Sequence, residues 1–325
     1  MTDTIRLYGL VTDSIVDGPG FRTSIFTQGC PHHCPGCHNP QTHDFAGVIR
    51  DLDRIRDLGV DVVWLMPIHP RGEKMRFGVC GSPHSVKDFP AINPAYGTEA
   101  DFARLVREVH ARGMKLMLDI VYNHTSQDSV LVQEHPEYFY QGADGKPMYR
   151  FWNDVYDLDY RNEDLCRYMV ETALSWARRG VDGYRCDVAP MVPLWTRARA
   201  AMDEVNPDFI WLAETHHYPF LVNMRDRGWC VHSDAEMYQA FDITYDYDVH
   251  YFYEDYLKGK GTLEQYVDGL NRQKAMYPMN YIKLRFLENH DQARVCSLVH
   301  TDEQLAMWTA FSYFLKGPVL LYAGQ

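Results

Sequence analysis

The sequence lacks a long hydrophobic run, a leader-like start and an excess of basic residues, and each absence excludes a class of protein. No apolar stretch approaches the roughly 20 residues that cross a bilayer, so neither a membrane span nor a membrane partner is predicted. The N-terminus, MTDTIRLYGLVTD, has no basic stretch followed by an apolar one, which predicts a cytoplasmic location. Lys and Arg number 32 against 44 Asp and Glu, so a nucleic-acid partner is not expected.

Cysteine is present but mostly dispersed. Three of the eight cysteines, Cys30, Cys34 and Cys37, are grouped in a CxxxCxxC motif. The other five are expected to be reduced residues within the fold: Cys80, Cys166, Cys186, Cys230 and Cys296.

From about residue 50, segments with helical spacing of apolar residues alternate with short apolar runs. Helices are predicted at 47–58, 99–112 and 163–179. Strands are predicted at 60–68, 115–124, 181–189, 209–215, 230–238, 281–291 and 317–325. This alternation predicts an α/β fold with a parallel sheet, but seven strands are one fewer than a (β/α)₈ TIM barrel needs. The only candidate for the missing first strand is RTSIFTQG, residues 22–29.

Polar and acidic residues lie at the ends of four predicted strands, where a barrel carries its catalytic groups. Taking 22–29 as the first strand, these are Asp119, Asn123 and His124 on the third, Arg185 and Asp187 on the fourth, Glu214 on the fifth, and His290 and Asp291 on the seventh. One such acid alone is as readily an ordinary residue on a solvated rim. Four sites at matching strand ends favour a catalytic site. The segment 123–162, rich in Tyr, Asp and Gly, is predicted to be a functional insertion after the third strand.

The order of the strands predicts the spacing of two carboxylates. Neighbouring strands lie about 4.8 Å apart, so the carboxyl groups of Asp187 and Glu214 are expected roughly 5 Å apart. That spacing fits a retaining glycosidase, since an inverting pair needs about 6.5–9.5 Å. Arg185, two residues before Asp187 on the same strand face, is expected to keep a nucleophile ionised. Glu214 follows the apolar run IWLA, a setting that suits a general acid.

The same segments carry a family resemblance. Four of them resemble, in order and spacing, the four motifs of glycoside hydrolase family 13, the α-amylase family: DIVYNH (119–124), GYRCDVA (183–189), AETHH (213–217) and FLENHD (286–291). The similarity covers about residues 47–325. It implies a retaining hydrolase or transglycosylase that acts by double displacement on α-glucosidic bonds of α-glucans or maltooligosaccharides, with no cofactor required for the hydrolysis.

The resemblance also implies residue roles. Asp187 would be the nucleophile, Glu214 the acid/base and Asp291 the transition-state stabiliser. Arg185, His124 and His290 would line the −1 sugar subsite, with Asp119 organising it. Asn123 corresponds to a calcium-binding residue of many members, so calcium is a candidate ligand.

Two departures from the family pattern bear on activity. His84, in GSPHSVKDF (81–89), stands where relatives usually carry a Tyr that stacks on the −1 sugar, so altered activity or specificity is expected. Relatives continue beyond YAGQ (322–325) through a final helix into a β-sandwich domain. We therefore expect a barrel incomplete at its C-terminus, without the sandwich domain, and an inactive fragment is one alternative. The oligomeric state is not predicted.

The first 46 residues resemble a different family. The segment 17–45, DGPGFRTSIFTQGCPHHCPGCHNPQTHDF, is similar to the N-terminus of radical-SAM activating enzymes of the anaerobic ribonucleotide reductase activase type. That likeness implies a [4Fe–4S] cluster on Cys30, Cys34 and Cys37 with S-adenosylmethionine on the open iron, and a glycyl-radical activase as an alternative function. The predicted organisation is thus a chimera: 1–46 radical-SAM-like, 47–325 amylase-type, with strand 22–29 completing the barrel.

Overall fold

A computed structural model of the chain describes residues 44–76, 81–323 and 325. Its centre is a seven-stranded, all-parallel sheet whose strand order follows the chain. The strands within the described residues are β1 (Val62–Leu65), β2 (Lys115–Ile120), β3 (His124–Ser126), β4 (Val155–Asp157), β5 (Gly183–Cys186), β6 (Ile210–Ala213), β7 (Ile243–Tyr245), β8 (Lys283–Phe286) and β9 (Val319–Leu320). Strands β3 and β4 form a separate antiparallel pair within the predicted insertion.

Helices connect the strands of the sheet. They are α1 (Phe45–Asp57), α2 (Glu99–Ala111), α3 (Val130–Glu134), α4 (Glu163–Arg178), α5 (Trp195–Asp203), α6 (Tyr218–Asp226), α7 (Asp234–Met237), α8 (Tyr247–Leu257), α9 (Leu263–Met276) and α10 (Asp302–Ser312). The three helices predicted from apolar spacing are confirmed as α1, α2 and α4. Each begins at a side-chain cap: Asp44 accepts from the Gly47 N–H, Thr98 forms a capping box with Asp101, and Asn162 caps α4.

One predicted strand is wrong. Within 230–238, residues Asp234–Met237 form the short helix α7, and the strand of this unit is β7, further along the chain. Ser233 and Glu236 explain the difference, because they form a reciprocal capping box that starts a helical turn.

The side chains of the sheet alternate between two apolar layers. Trp64, Met117, Leu212 and Leu284 belong to a cluster inside the curved sheet. Their neighbours along the strands, such as Val63, pack in the cluster that joins the sheet to the helices. The chain is therefore wound as a (β/α) barrel wall with one filled interior.

The two edge strands of the sheet, β1 and β9, do not pair with each other in the described part of the chain. The proposed first strand, 22–29, lies outside the described residues, so strand replacement stays a prediction. No helix of the described ranges is long and apolar enough to cross a membrane.

Candidate active site

Arg185 is the centre of the site. It lies on β5 directly opposite Asp119 of β2, so both side chains point into the same end of the barrel. The fully buried guanidinium donates from Nη1 to Asp119 Oδ1 at 3.0 Å and to Asp187 Oδ1 at 2.8 Å. Nη2 pairs with Glu214 Oε1 at 2.6 Å, without the geometry of a hydrogen bond, and Nε donates to the Tyr245 hydroxyl at 3.2 Å. One cation thus holds three carboxylates together.

The strand register places the two principal carboxylates side by side. Cys186 of β5 pairs with Ala213 of β6, and Asp187 and Glu214 are the next residues on each strand. The Glu214 N–H donates to the Cys186 carbonyl at 3.0 Å, which extends the ladder to this position. Both side chains are nearly buried, at 8% and 6% exposed, and both contact Arg185. The two carboxylates therefore share one cation, and the spacing of roughly 5 Å between them stays a prediction.

Val188 turns the backbone sharply after Asp187. Its φ of 46° lies in the left-handed region, which a β-branched residue rarely adopts. In this conformation the Val188 N–H donates to Glu214 Oε2 at 2.8 Å. Glu214 is therefore fixed through both oxygens, one by Arg185 and one by this strained turn.

Burial and the arginine set the protonation of the surrounding groups. Burial alone would raise the pKa of Asp119, but the Arg185 guanidinium lowers it, so this carboxyl is ionised. Burial lowers the pKa of His124 to about 4. Burial together with Arg185 lowers the pKa of His290 to about 4. Both imidazoles are neutral near pH 7 and suit hydrogen bonding to sugar hydroxyls.

His84 behaves differently from these two histidines. Its Nε2 lies 3.6 Å from Asp119 Oδ2 and 3.5 Å from Asp187 Oδ1, and its ring stacks on His290 at 5.4 Å between centroids. Burial lowers its pKa, but Asp187 and Asp119 outweigh that effect and raise it to about 9. A cation therefore stands where relatives usually carry a neutral Tyr.

Asp291 lies in the loop beyond β8 rather than at the strand end. Its side chain is 51% exposed, with Oδ2 3.2 Å from His290 Nε2. It lines the same cavity as Asp187 and Glu214, a space of about 440 Å³ at the carboxyl ends of the strands. The cavity is also lined by His84, His124 and residues of the insertion.

Several lining residues were not identified from the sequence. They are Trp152, Asp154, His216, His217 and Tyr247. His216 and His217 belong to the third motif, AETHH, and their place directly after Glu214 is a sequence pattern that predicts them near the site. Trp152, whose ring lies 5.3 Å from that of His124, belongs to the Tyr-rich insertion, where no residue type alone marked it. Tyr245 is not predicted as a site residue, because the sequence predicts the strand of this unit at 230–238 and not at β7.

Of the predicted metal ligands, Asn123 lies within the described residues and the three clustered cysteines do not. Asn123 is buried, and its amide donates from Nδ2 to His124 Nδ1 at 3.1 Å. No group of three carboxylate, imidazole or thiol donors surrounds it in the described part of the chain, whereas calcium prefers six to eight oxygens. Calcium also accepts amide and backbone carbonyl oxygens, so Asn123 stays a predicted calcium ligand, and no step is assigned to calcium. Cys30, Cys34 and Cys37 lie outside the described residues.

A parallel (β/α) sheet with buried, paired carboxylates at its carboxyl edge is typical of barrel enzymes that work by acid, base and nucleophile. The chain belongs to the α-amylase family: the model of the α-amylase catalytic domain matches residues 31–152 and 143–325. The match begins ahead of the boundary predicted at residue 47.

Solved structures agree with this assignment. An α-amylase from Lactobacillus plantarum is 47% identical with a TM-score of 0.88, over 93% of this chain and 71% of that one. The maltogenic α-amylase AmyB from Thermotoga neapolitana is 40% identical with a TM-score of 0.82, over 93% and 67%.

Among curated proteins, the intracellular maltogenic amylase of Bacillus subtilis is 26% identical over 310 residues, 89% of this chain and 50% of that protein. Alpha-amylase 2 of Dictyoglomus thermophilum is 23% identical, over 87% of this chain and 49% of that protein. The chain thus spans about half the length of these curated relatives.

Proposed function

We propose that this chain is a retaining glycoside hydrolase or transglycosylase that acts on α-glucosidic bonds of α-glucans or maltooligosaccharides. The observation that carries the proposal is the position of Asp187 and Glu214 on one buried guanidinium, in a cavity also lined by the neutral His124. The two residues follow paired positions on neighbouring strands, which lie about 4.8 Å apart. That placement favours double displacement, since an inverting pair needs about 6.5–9.5 Å.

In the proposed mechanism, Asp187 attacks the anomeric carbon while Glu214 gives its proton to the leaving glycosidic oxygen. A covalent glycosyl–Asp187 ester forms and the aglycone departs. Glu214, now ionised, takes a proton from water, which attacks the same carbon and releases Asp187. A sugar hydroxyl in place of water gives transfer. Asp291 stabilises the positive charge that develops on the ring, and the Val188 N–H keeps Glu214 aimed at the bond.

The substrate class is supported by the relatives. AmyB is described as a maltogenic α-amylase, and the Bacillus subtilis relative as an intracellular maltogenic amylase. We infer the same bond type here and, because the Bacillus subtilis relative is described as intracellular, a cytoplasmic location.

The test is release of reducing sugar from maltoheptaose by the full chain. Asp187→Asn is expected to lower kcat by at least about 10⁴-fold, since a nucleophile is removed. The matched control, Asp208→Asn at an exposed loop, should keep full activity. The first product observed by NMR should carry the α configuration. A β product, or no turnover of any α-glucoside by folded protein, would contradict the proposal.

The radical-SAM alternative rests on the resemblance of the segment 17–45, with its CxxxCxxC motif, and remains a prediction from sequence. The family match, which begins at residue 31, gives it no support. Iron content after anaerobic reconstitution, compared with a variant carrying Ala at Cys30, Cys34 and Cys37, tests it. The inactive-fragment alternative is tested by the same maltoheptaose assay together with thermal unfolding.

A further inference from the structure

Three side chains of types that bind metals converge beside the catalytic cavity, which His84 lines. Ligand atoms of His84, Asp119 and His290 all lie within 4.8 Å of one another. They come from three parts of the chain: the loop after β1, strand β2 and the loop after β8. Family members with Tyr in place of His84 would lack one imidazole of this set.

Polar atoms of this set are buried and make no hydrogen bond of normal geometry among the described residues, although His84 Nε2 lies 3.6 Å from Asp119 Oδ2 and His290 Nε2 lies 3.2 Å from Asp291 Oδ2. These atoms are His84 Nε2, Asp119 Oδ2 and both ring nitrogens of His290. Asp119 is 0% exposed, and Arg185 binds its other oxygen, Oδ1, so Oδ2 is left facing the histidines. Buried polar atoms without partners are uncommon in native proteins and call for an explanation.

The charge around this set favours a further cation. Four carboxylates line or underlie the cavity, on Asp119, Asp187, Glu214 and Asp291. Arg185 and the protonated His84 are the cations that the described residues place among them, and a bound metal would replace the His84 proton. A dication would meet net negative charge there, close to Asp119 and Asp187.

The spacing suits a small transition metal. In a tetrahedral site with bonds of about 2.1 Å, two ligand atoms lie about 3.4 Å apart. His84 Nε2 and Asp119 Oδ2 are separated by 3.6 Å. Two imidazoles and one carboxylate are a donor set that zinc accepts, with a fourth position left for water.

We propose that His84, Asp119 and His290 form a binding site for a divalent transition-metal ion such as Zn²⁺. The bound ion occupies the cavity beside Asp187 and excludes the sugar, so that zinc and sugar compete. The exclusion of sugar rests on the function proposed above, whereas the metal site itself does not.

The test is a zinc titration of the full chain by calorimetry after removal of metals with a chelator. The titrated parent is a variant with Cys30→Ser, Cys34→Ser and Cys37→Ser, because three clustered thiols bind zinc on their own. We expect one zinc per chain. His84→Phe should weaken the affinity at least about 100-fold, since loss of even an outer-shell partner costs about 10–100-fold. His300→Phe, at an exposed position, is the matched control and should bind as the parent does.

Two further measurements keep the proposal open to refutation if His84→Phe is poorly folded. Co²⁺ should give the visible absorption of a tetrahedral site in the parent, and His290→Gln should lose it. Zinc should raise the Tm of the parent and the His300→Phe control but not of either site variant. Zinc affinity unchanged by both site variants would overturn the proposal.

Competition is measured separately. Maltotriose should weaken the apparent zinc affinity, and zinc should inhibit maltoheptaose hydrolysis by raising KM. Zinc affinity unchanged by saturating maltotriose would overturn the exclusion of sugar. A chain that binds zinc through His84 but hydrolyses no α-glucoside would contradict the proposed function alone. A chain that hydrolyses maltoheptaose but binds no zinc would contradict the metal site alone.

Discussion

The protein buries charge in two places, and the two are built differently. Around Arg185, buried polar atoms of His84 and Asp119 have no hydrogen-bond partner among the described residues, and the group opens into a cavity. The second group, around Lys283 and Arg285 of β8, is closed. Lys283 pairs with Asp234, and with Asp248 at 3.1 Å.

The closed group is tied together by hydrogen bonds. Arg285 Nη1 donates to Asp246 Oδ1 at 2.7 Å and to Gln273 Oε1 at 2.9 Å, and Gln273 Nε2 donates to Asp246 Oδ1 at 2.7 Å. Such a network stabilises one arrangement of β7, β8 and α9 and leaves nothing for a ligand. Both groups contain buried charge. What distinguishes the site is that some of its buried polar atoms lack hydrogen-bond partners next to a cavity.

The largest effect that separates the two groups should come from Glu214→Gln. Loss of the general acid is expected to lower kcat/KM on maltoheptaose by about 10²–10⁴-fold. An aryl α-maltoside, whose leaving group needs no proton, should lose far less in the glycosylation step. Burst kinetics on both substrates provide the measurement, and an equal loss on both would remove Glu214 from the role of acid.

Lys283→Met tests the closed group. It leaves the buried carboxylate of Asp234 without its cation, so the free energy of unfolding should fall by about 3–5 kcal/mol. Urea unfolding followed by circular dichroism provides the value. The control is Arg272→Met, which breaks an exposed pair with Asp268 and should leave the midpoint nearly unchanged. Equal effects would mean that the closed group contributes no more than a surface pair.

A third prediction concerns pH and two buried histidines outside both groups. Burial lowers the pKa of His69 and of His250 to about 4, below the ordinary value near 6.5. The unfolded chain therefore binds more protons between these values, and stability should fall as the pH drops from about 6.5 toward 4. The loss is up to about 1.4 kcal/mol per pH unit for each histidine. Urea midpoints at pH 7 and 5 measure it, and His250→Gln should flatten the slope.

The smallest effect should come from His84→Tyr. This change removes the imidazole Nε2, which makes no hydrogen bond, and enlarges the surface on which a sugar ring can stack. Aromatic stacking contributes about 0.5–1.5 kcal/mol, so kcat/KM on maltoheptaose should rise about 2- to 10-fold. A fall in kcat/KM would show that His84 acts through its charge beside Asp187 instead.

Much of this architecture follows from the sequence because periodicity and strand ends are local signals. The apolar spacing of α1, α2 and α4 and the acids at the ends of β2, β5 and β6 needed no tertiary information. The three residues of β7 lie between acidic residues and carry too little pattern, whereas the nearby capping box at Ser233 does carry one.

The missed contacts of the site have a common physical cause. An arginine side chain is long enough to reach several neighbours, and which ones it reaches depends on strand register. The sequence predicted Arg185 beside Asp187, which the structure places at 2.8 Å, but gave no sign of Glu214 or Tyr245 as further partners. That His84 Nε2 and Asp119 Oδ2 are buried without hydrogen bonds is likewise a result of packing, which residue type alone does not predict.

The left-handed turn at Val188 has a consequence for how this chain can be improved. A β-branched residue in that conformation costs on the order of 1–3 kcal/mol, and glycine would relieve most of it. Selection for heat resistance alone would therefore favour Val188→Gly, a change that keeps the N–H but loosens the turn that aims it at Glu214 Oε2. A change at Val188 that raises thermostability is therefore expected to lower turnover, so any engineered variant should be screened for both properties.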